Sequence, residues 1–257
     1  MEDHVTARQR AGEAIRWLTV IAWVALFLLA GCQRPDCRDT RLYSPYPKSR
    51  VVAVAPFVNM SGSPAVEPLA VSDLFFSELQ MVDGFQVLPL NRTLAAMAAL
   101  KMSALSSPAD AIRLAEAVGA DMIFVGAITA YDPYDPPEVG LTVQLYAVPG
   151  REPDGEPALA GVSRGAALPA GPVVPRAQTS EVYNARHDIV RKQVREFAEI
   201  RGSEDSPLGW RLYTRSIQHY VRFACHRAIC RILDIELNRA WLAAPMAEGP
   251  TDRANAN

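Results

Sequence analysis

Cysteine is scarce, with four residues in a chain of 257. That is too few for a domain of this size to depend on a disulfide framework. An excess of one charge is also missing: Lys and Arg number 26 against 28 Asp and Glu, a formal net charge of −2. Nucleic-acid binders normally carry a marked basic surplus, so no nucleic-acid partner is expected. Chemistry-bearing motifs are absent too. There is no phosphate-binding loop, no Gly-x-Ser-x-Gly elbow and no His-Glu-x-x-His pair. With 49% apolar and 21% charged residues, the composition is that of a globular protein. A non-enzymatic protein without a cofactor is the expectation.

Long hydrophobic runs are represented once, by the fifteen residues from Trp17 to Gly31. A bilayer-spanning helix wants ~20 apolar residues, so this run suits the core of a signal peptide better than a permanent span. Arg8, Arg10 and Arg16 supply the basic flank before it. The run ends in Leu29-Ala30-Gly31-Cys32, which resembles a bacterial lipobox. The resemblance implies cleavage before Cys32 and thioether lipidation of its thiol, with acyl chains of the palmitate type anchoring the mature protein to a membrane. Each buried CH₂ contributes ~0.8 kcal/mol, so several chains on one residue hold firmly. The next residue is Gln33 rather than an aspartate, which in known sorting rules favours the outer over the inner membrane. Residues 1–32 are therefore read as a lipoprotein signal peptide, and residues 33–49, polar and without period, as a tether. Cys37 within it is left either free or paired with Cys225 or Cys230.

Residues 50–148 alternate between strand and helix patterns. Arg50–Val58 is β-branched and apolar on both faces, as a covered central strand would be. A helix is expected over 66–81, a second strand over 85–90, a helix over 93–102 and another over 108–118. The last has a clear start, with Ser107 as cap, Pro108 at the first helical position and Asp110 in the first turn, and it stops at Gly119. Strands over 122–128 and 141–146 flank the turn Asp132-Pro133-Tyr134-Asp135-Pro136-Pro137. The fold class is α/β with a mixed sheet: a β-α-β-α-α-β-β core of four or five strands. Helical crossovers make the first three strands parallel, and the short turn makes the last two a hairpin.

The stretch Val52-Ala53-Val54-Ala55-Pro56-Phe57-Val58-Asn59-Met60-Ser61-Gly62, followed by Gly84-Phe85-Gln86-Val87 and then Gly119-Ala120-Asp121-Met122-Ile123-Phe124-Val125-Gly126, is similar to the superfamily of TolB amino-terminal-like domains. That superfamily includes the curli secretion lipoprotein CsgG and lipoprotein activators of penicillin-binding proteins. The resemblance implies a periplasm-facing binding or assembly module. It lacks the long amphipathic hairpins of a CsgG-type pore and any propeller repeat after residue 148.

Residues 149–178 hold six prolines and five glycines and are expected to be a linker or insertion, with a short strand at Leu159–Ser163. Residues 179–244 read as a helical region: one helix from Thr179 or Ser180 to about Ile200, then one long or two collinear helices from Trp210 to about Leu242. Tyr213, Ile217, Tyr220, Val221, Ala224, Ala228, Ile232 and Ile235 form an apolar stripe that must be buried. Residues 245–257 are read as a disordered tail.

Three groups are candidates for function. Cys225, His226 and Cys230 could bring two ligands to one helical face, but structural zinc needs four, and no metal is expected. Arg211, Arg215 and Arg222 form a basic stripe, and Tyr131 and Tyr134 at the strand turn are candidate interface aromatics. Asp132 and Asp135 are better explained by the turn they flank than by calcium. The leading expectation is a lipid-anchored envelope lipoprotein that recognises an envelope protein or associates with itself. The alternatives are an oligomeric CsgG-like transport component and a metal or enzymatic protein using the Cys225/His226/Cys230 cluster.

Overall fold

A computed structural model describes residues 41–151, 173–203 and 206–243. The segments read as signal peptide and lipobox, most of the proline-rich segment with Leu159–Ser163, and the segment read as a tail lie outside the described residues. The fold is mixed α/β, as expected. Its main sheet has six strands: β2 (Arg50–Val54), β3 (Val58–Asn59), β5 (Phe85–Val87), β6 (Met122–Asp132), β7 (Glu138–Ala147) and β8 (Ala177–Asn184). The order is β5-β2-β6-β7-β8, with β3 beside the later part of β6. Strands β5, β2 and β6 run parallel, whereas β6-β7 and β7-β8 are antiparallel. A separate two-stranded ladder joins β1 (Leu42–Tyr43) to β4 (Val82–Asp83).

Alternation along the central strands sends side chains to two cores. Val52, Val54, Met122 and Phe124 enter the first, with α1 (Pro68–Leu79), α4 (Asp188–Ile200) and α6 (Ile217–Ala243). Ala53, Ala55 and Ile123 enter the second, with α2 (Leu90–Ala99) and α3 (Pro108–Val118). Helix α3 starts and stops as its residues dictate. Ser107 Oγ accepts from the Asp110 N–H at 3.2 Å, and Gly119 ends the helix at φ 76°. Phe57 lies directly over Gly126, where a Cβ would come within 2.2 Å of the ring.

Two expectations are corrected. The segment read as a tether, 33–49, is folded from residue 41 onward: β1 pairs with β4, and Tyr46 is buried against the ring of Phe85. The partner strand lies some forty residues away in sequence, so no local pattern announced it. Residues 177–184 form a strand and not the start of a helix. Ala177, Thr179 and Tyr183 point inward while Val182 is 56% exposed, a period of two that overrides the capping character of Thr179 and Ser180. Helix α4 begins only at Asp188. Of the two readings for the stretch from Trp210, the structure has two helices: Ser216 takes an extended conformation that divides α5 (Arg211–Arg215) from α6. Most of the apolar stripe is buried, with Ile217 and Ile235 partly so, but Phe223, Ile229 and Leu233 are buried too, because α6 packs between α1 and the β7-β8 pair.

Helix α6 sets an axis within this domain. Its 27 residues span about 40 Å. It starts beside the β6-β7 turn and ends beside the opening strap of residues 41–50, where Tyr46 donates to Glu236.

Candidate functional site

At the β6-β7 turn, an open groove of about 230 Å³ lies between the turn, the end of β8, and helices α4 and α5. Asp135 and Pro136 form one wall, and the Asp135–Pro136 peptide bond is cis. Arg191 of α4, Trp210, Arg211 and Arg215 form the other. The guanidinium carbons of Arg195 and Arg211 stand 5.0 and 5.5 Å from the centre of the Trp210 ring, within cation–π range. Arg191 is held in place: it donates to the carbonyls of Ala185 at 3.1 Å and Arg186 at 2.8 Å, and pairs with Asp188. Arg211 and Arg215 are exposed, and among the described residues neither has a carboxylate partner. Tyr134, next in sequence to Asp135, is 79% exposed at the tip of the turn. Its N–H donates to Asp132 Oδ1 at 3.1 Å, so Asp132 shapes the turn.

The groove therefore gathers Arg211 and Arg215 from the expected partner surface, with Tyr134 exposed one residue before its Asp135 wall. Tyr131 is elsewhere. It lies on β6, half-buried against the first core, where burial pushes its phenol pKa up. Arg222 also turns away, its Nε reaching Glu78 Oε1 at 3.5 Å. Trp210, Arg191 and Arg195 were not anticipated. The available signal was a tryptophan beside an arginine in a stretch otherwise built to break a helix.

The Cys225/His226/Cys230 cluster is part of the core. His226 Nε2 lies 3.6 Å from Cys230 Sγ, and its Nδ1 lies 3.7 Å from Glu78 Oε2. Glu78 is only 3% exposed and also pairs with Arg201 and Arg222. These charges form a network in which a buried carboxylate is compensated by guanidinium groups. The ring of Phe197 packs 4.8 Å from His226 and 5.1 Å from the Arg201 guanidinium. Burial holds the Cys225 thiol well above its ordinary pKa, with Glu78 adding to the shift, so its thiolate is suppressed. No group of three or more metal-ligating side chains occurs among the described residues.

Leu29, Ala30, Gly31 and Cys32, read as a lipobox, lie outside the described residues. Among the described residues no helix is long and apolar enough to cross a membrane.

No family model matches the sequence, and no curated protein matches it. Solved structures do. The C-terminal domain of LpoB from Salmonella enterica is 14% identical over 52% of this chain and 83% of that one, with a TM-score of 0.36. A lipoprotein from Neisseria meningitidis is 15% identical over 60% of this chain and 98% of that one, with a TM-score of 0.35. PelC from Paraburkholderia phytofirmans, crystallised as a dodecamer, is 13% identical over 75% of this chain and 91% of that one, with a TM-score of 0.34.

Proposed function

We propose that this chain is a lipid-anchored, non-enzymatic lipoprotein of the cell envelope, held by Cys32 and facing the periplasm, with the outer membrane favoured by Gln33. It recognises an envelope protein through the groove at the β6-β7 turn. The observation that supports this reading is the combination of Trp210, flanked by two guanidinium groups, with Arg211 and Arg215 uncommitted to any described carboxylate. Aromatic and arginine side chains are the residues most often dominant in binding energy at interfaces. The net charge there suits an acidic segment of the partner, which would also make association fall with ionic strength.

Anchoring adds to affinity by confining the domain to a membrane surface, where its effective concentration toward envelope partners rises. The TolB-amino-terminal-like resemblance belongs to the same proposal, with an activator of a peptidoglycan synthase or a secretion accessory as the roles it would suit.

The test is crosslinking and mild-detergent co-purification of the full-length tagged protein from its native cells, comparing wild type with Arg211→Glu/Arg215→Glu. One envelope protein should be enriched by wild type and recovered about ten-fold less by the variant, equivalent to roughly 1.4 kcal/mol. Equal recovery by both would rule the groove out. Recovery of copies of this chain alone would replace the reading with an oligomeric transport component.

A further inference from the structure

The end of the domain opposite the groove carries a surface of a different kind. Helix α6 leaves Trp241 and Leu242 60% and 89% exposed at its last turn. Tyr43 of β1 and Met81, just before β4, are also exposed. Three contacts tie the segments that carry them. Tyr43 is paired with Asp83, Tyr46 packs on Phe85, and Tyr46 donates at 2.6 Å to Glu236, five residues before Trp241. Arg239 closes the arrangement by donating to the carbonyl of Arg176. The strap's exposed charges, Arg41 and Lys48, are cationic, and Arg41 lies 3.8 Å from Asp83 of β4.

Single exposed apolar residues are ordinary. Here an exposed tryptophan and leucine end α6 a few residues beyond Glu236, and an exposed tyrosine and methionine flank the strap that Tyr46 ties to it. Cys32 is nine residues before Arg41. A fully extended chain of that length reaches roughly 30 Å, so a lipid on Cys32 would keep this end near the bilayer. The groove lies at the far end of β6, roughly 30 Å along the strand from Met122. Tryptophan and tyrosine partition to the membrane interface, and basic groups are attracted by anionic headgroups.

We infer that the end bearing Tyr43, Met81, Trp241 and Leu242 rests on the bilayer that carries the anchor, which directs the groove away from the membrane. This rests on the lipid-anchor reading, and it commits to a lipid surface over a second protein. The surface adds a shallow contact to the covalent tether, the two-signal arrangement that makes attachment stable.

The chain holds four tryptophans, at positions 17, 23, 210 and 241. With Trp17 and Trp23 replaced by Phe, emission comes only from the groove end and the strap end. The full-length protein purified from its own membranes is reconstituted in vesicles of phosphatidylethanolamine and phosphatidylglycerol, with plain or brominated acyl chains. In a Trp210→Phe background, brominated chains should quench Trp241 emission by roughly half, as for an interfacial indole. In a Trp241→Phe background, Trp210 emission should be unchanged. Unquenched Trp241 on floated vesicles overturns the inference, including the case where a second copy covers it. Equal quenching of both residues overturns it too.

Mass spectrometry of the N-terminal peptide reads the anchor separately. A lipidated Cys32 with unquenched Trp241 leaves the anchor standing and removes only this surface. An unlipidated Cys32 removes the anchor reading, and the quenching of Trp241 still decides whether this end meets lipid. A nitroxide on Leu242→Cys, in a Cys37→Ser background, provides a second depth probe in case Trp210→Phe perturbs folding. It should be relaxed by oxygen more strongly than by a water-soluble nickel chelate, and the reverse order counts against the inference.

Discussion

Tyr46 donates a 2.6 Å hydrogen bond to Glu236, a residue 190 positions further along the chain. Arg176 binds the same carboxylate oxygen through Nε at 3.1 Å and Nη2 at 2.9 Å. Three segments, the opening strap, the approach to β8 and the last turns of α6, therefore meet on one buried carboxylate. Burial, followed by the Glu236 charge, pushes the Tyr46 phenol far above its ordinary pKa, so it remains a donor at any physiological pH.

Removing that donor should loosen the strap without unfolding the sheet. Tyr46→Phe is expected to cost about 2 kcal/mol, the usual worth of a hydrogen bond to a charged group. For a domain of this size that corresponds to a fall in Tm of roughly 4–8 °C. Hydrogen exchange should quicken first at Leu42 and Tyr43. A variant as stable as wild type would show that the strap is held by apolar packing alone.

Glu78 is the second buried carboxylate beside Glu236. Glu78→Gln leaves the Arg201, Arg222 and His226 side chains around a neutral amide. Breaking one partner of a buried ion network typically costs ~3 kcal/mol or more. Chemical denaturation should show a lower midpoint with an unchanged slope, since the surface exposed on unfolding is the same. An unchanged midpoint would mean that water already satisfies these charges.

Gly126 is required by the ring above it. Gly126→Ala places a methyl group 2.2 Å from Phe57, and overpacking of this kind costs about 1–3 kcal/mol. Combining it with Phe57→Leu should return part of that loss, because the two changes relieve each other. Strict additivity in the double variant would refute the contact.

Stability should also fall in mild acid. Burial, and then the neighbouring Arg222 charge, lowers the His219 pKa below its ordinary 6.5. The unfolded chain then takes up a proton at His219 before the folded one does, so stability is full above about 6.5 and declines as pH falls through the folded value. His219 Nδ1 lies 2.8 Å from Ser216 Oγ, at the break between α5 and α6. His219→Gln should flatten this part of the pH–stability curve. An equal slope in the variant would assign the acid effect to other groups.

Much of the fold was legible because its signals are local. Ser107-Pro108-x-Asp110 and Gly119 mark the ends of α3 through a side-chain cap and a left-handed backbone, both decided within a few residues. The β-branched run at Arg50–Val54 and the Asp132–Pro137 turn were equally plain. Residues 177–184 were misread because a short strand with Thr, Ser and Glu has no distinctive local energy. Its conformation is chosen by pairing with β7, including the side-chain contacts Thr142–Ser180 at 2.8 Å and Gln144–Gln178 at 2.9 Å. The candidate site shows the same division. Tyr134, Arg211 and Arg215 were singled out as exposed residue types, but their company with Trp210, Arg191 and Arg195 required three separate elements to meet.

Residue order by itself determined the alternating strand and helix core, the neutral charge balance and the lipobox pattern, because each depends on composition or on spacing within one element. Tertiary structure decided which arginines stand open and which are spent in the core. Arg211 and Arg222 carry the same charge on neighbouring helices, yet one borders the groove while the other reaches Glu78. The physical reason is that a guanidinium's role follows from the carboxylates and rings within about 4–6 Å of it, and those neighbours come from segments far apart in the chain.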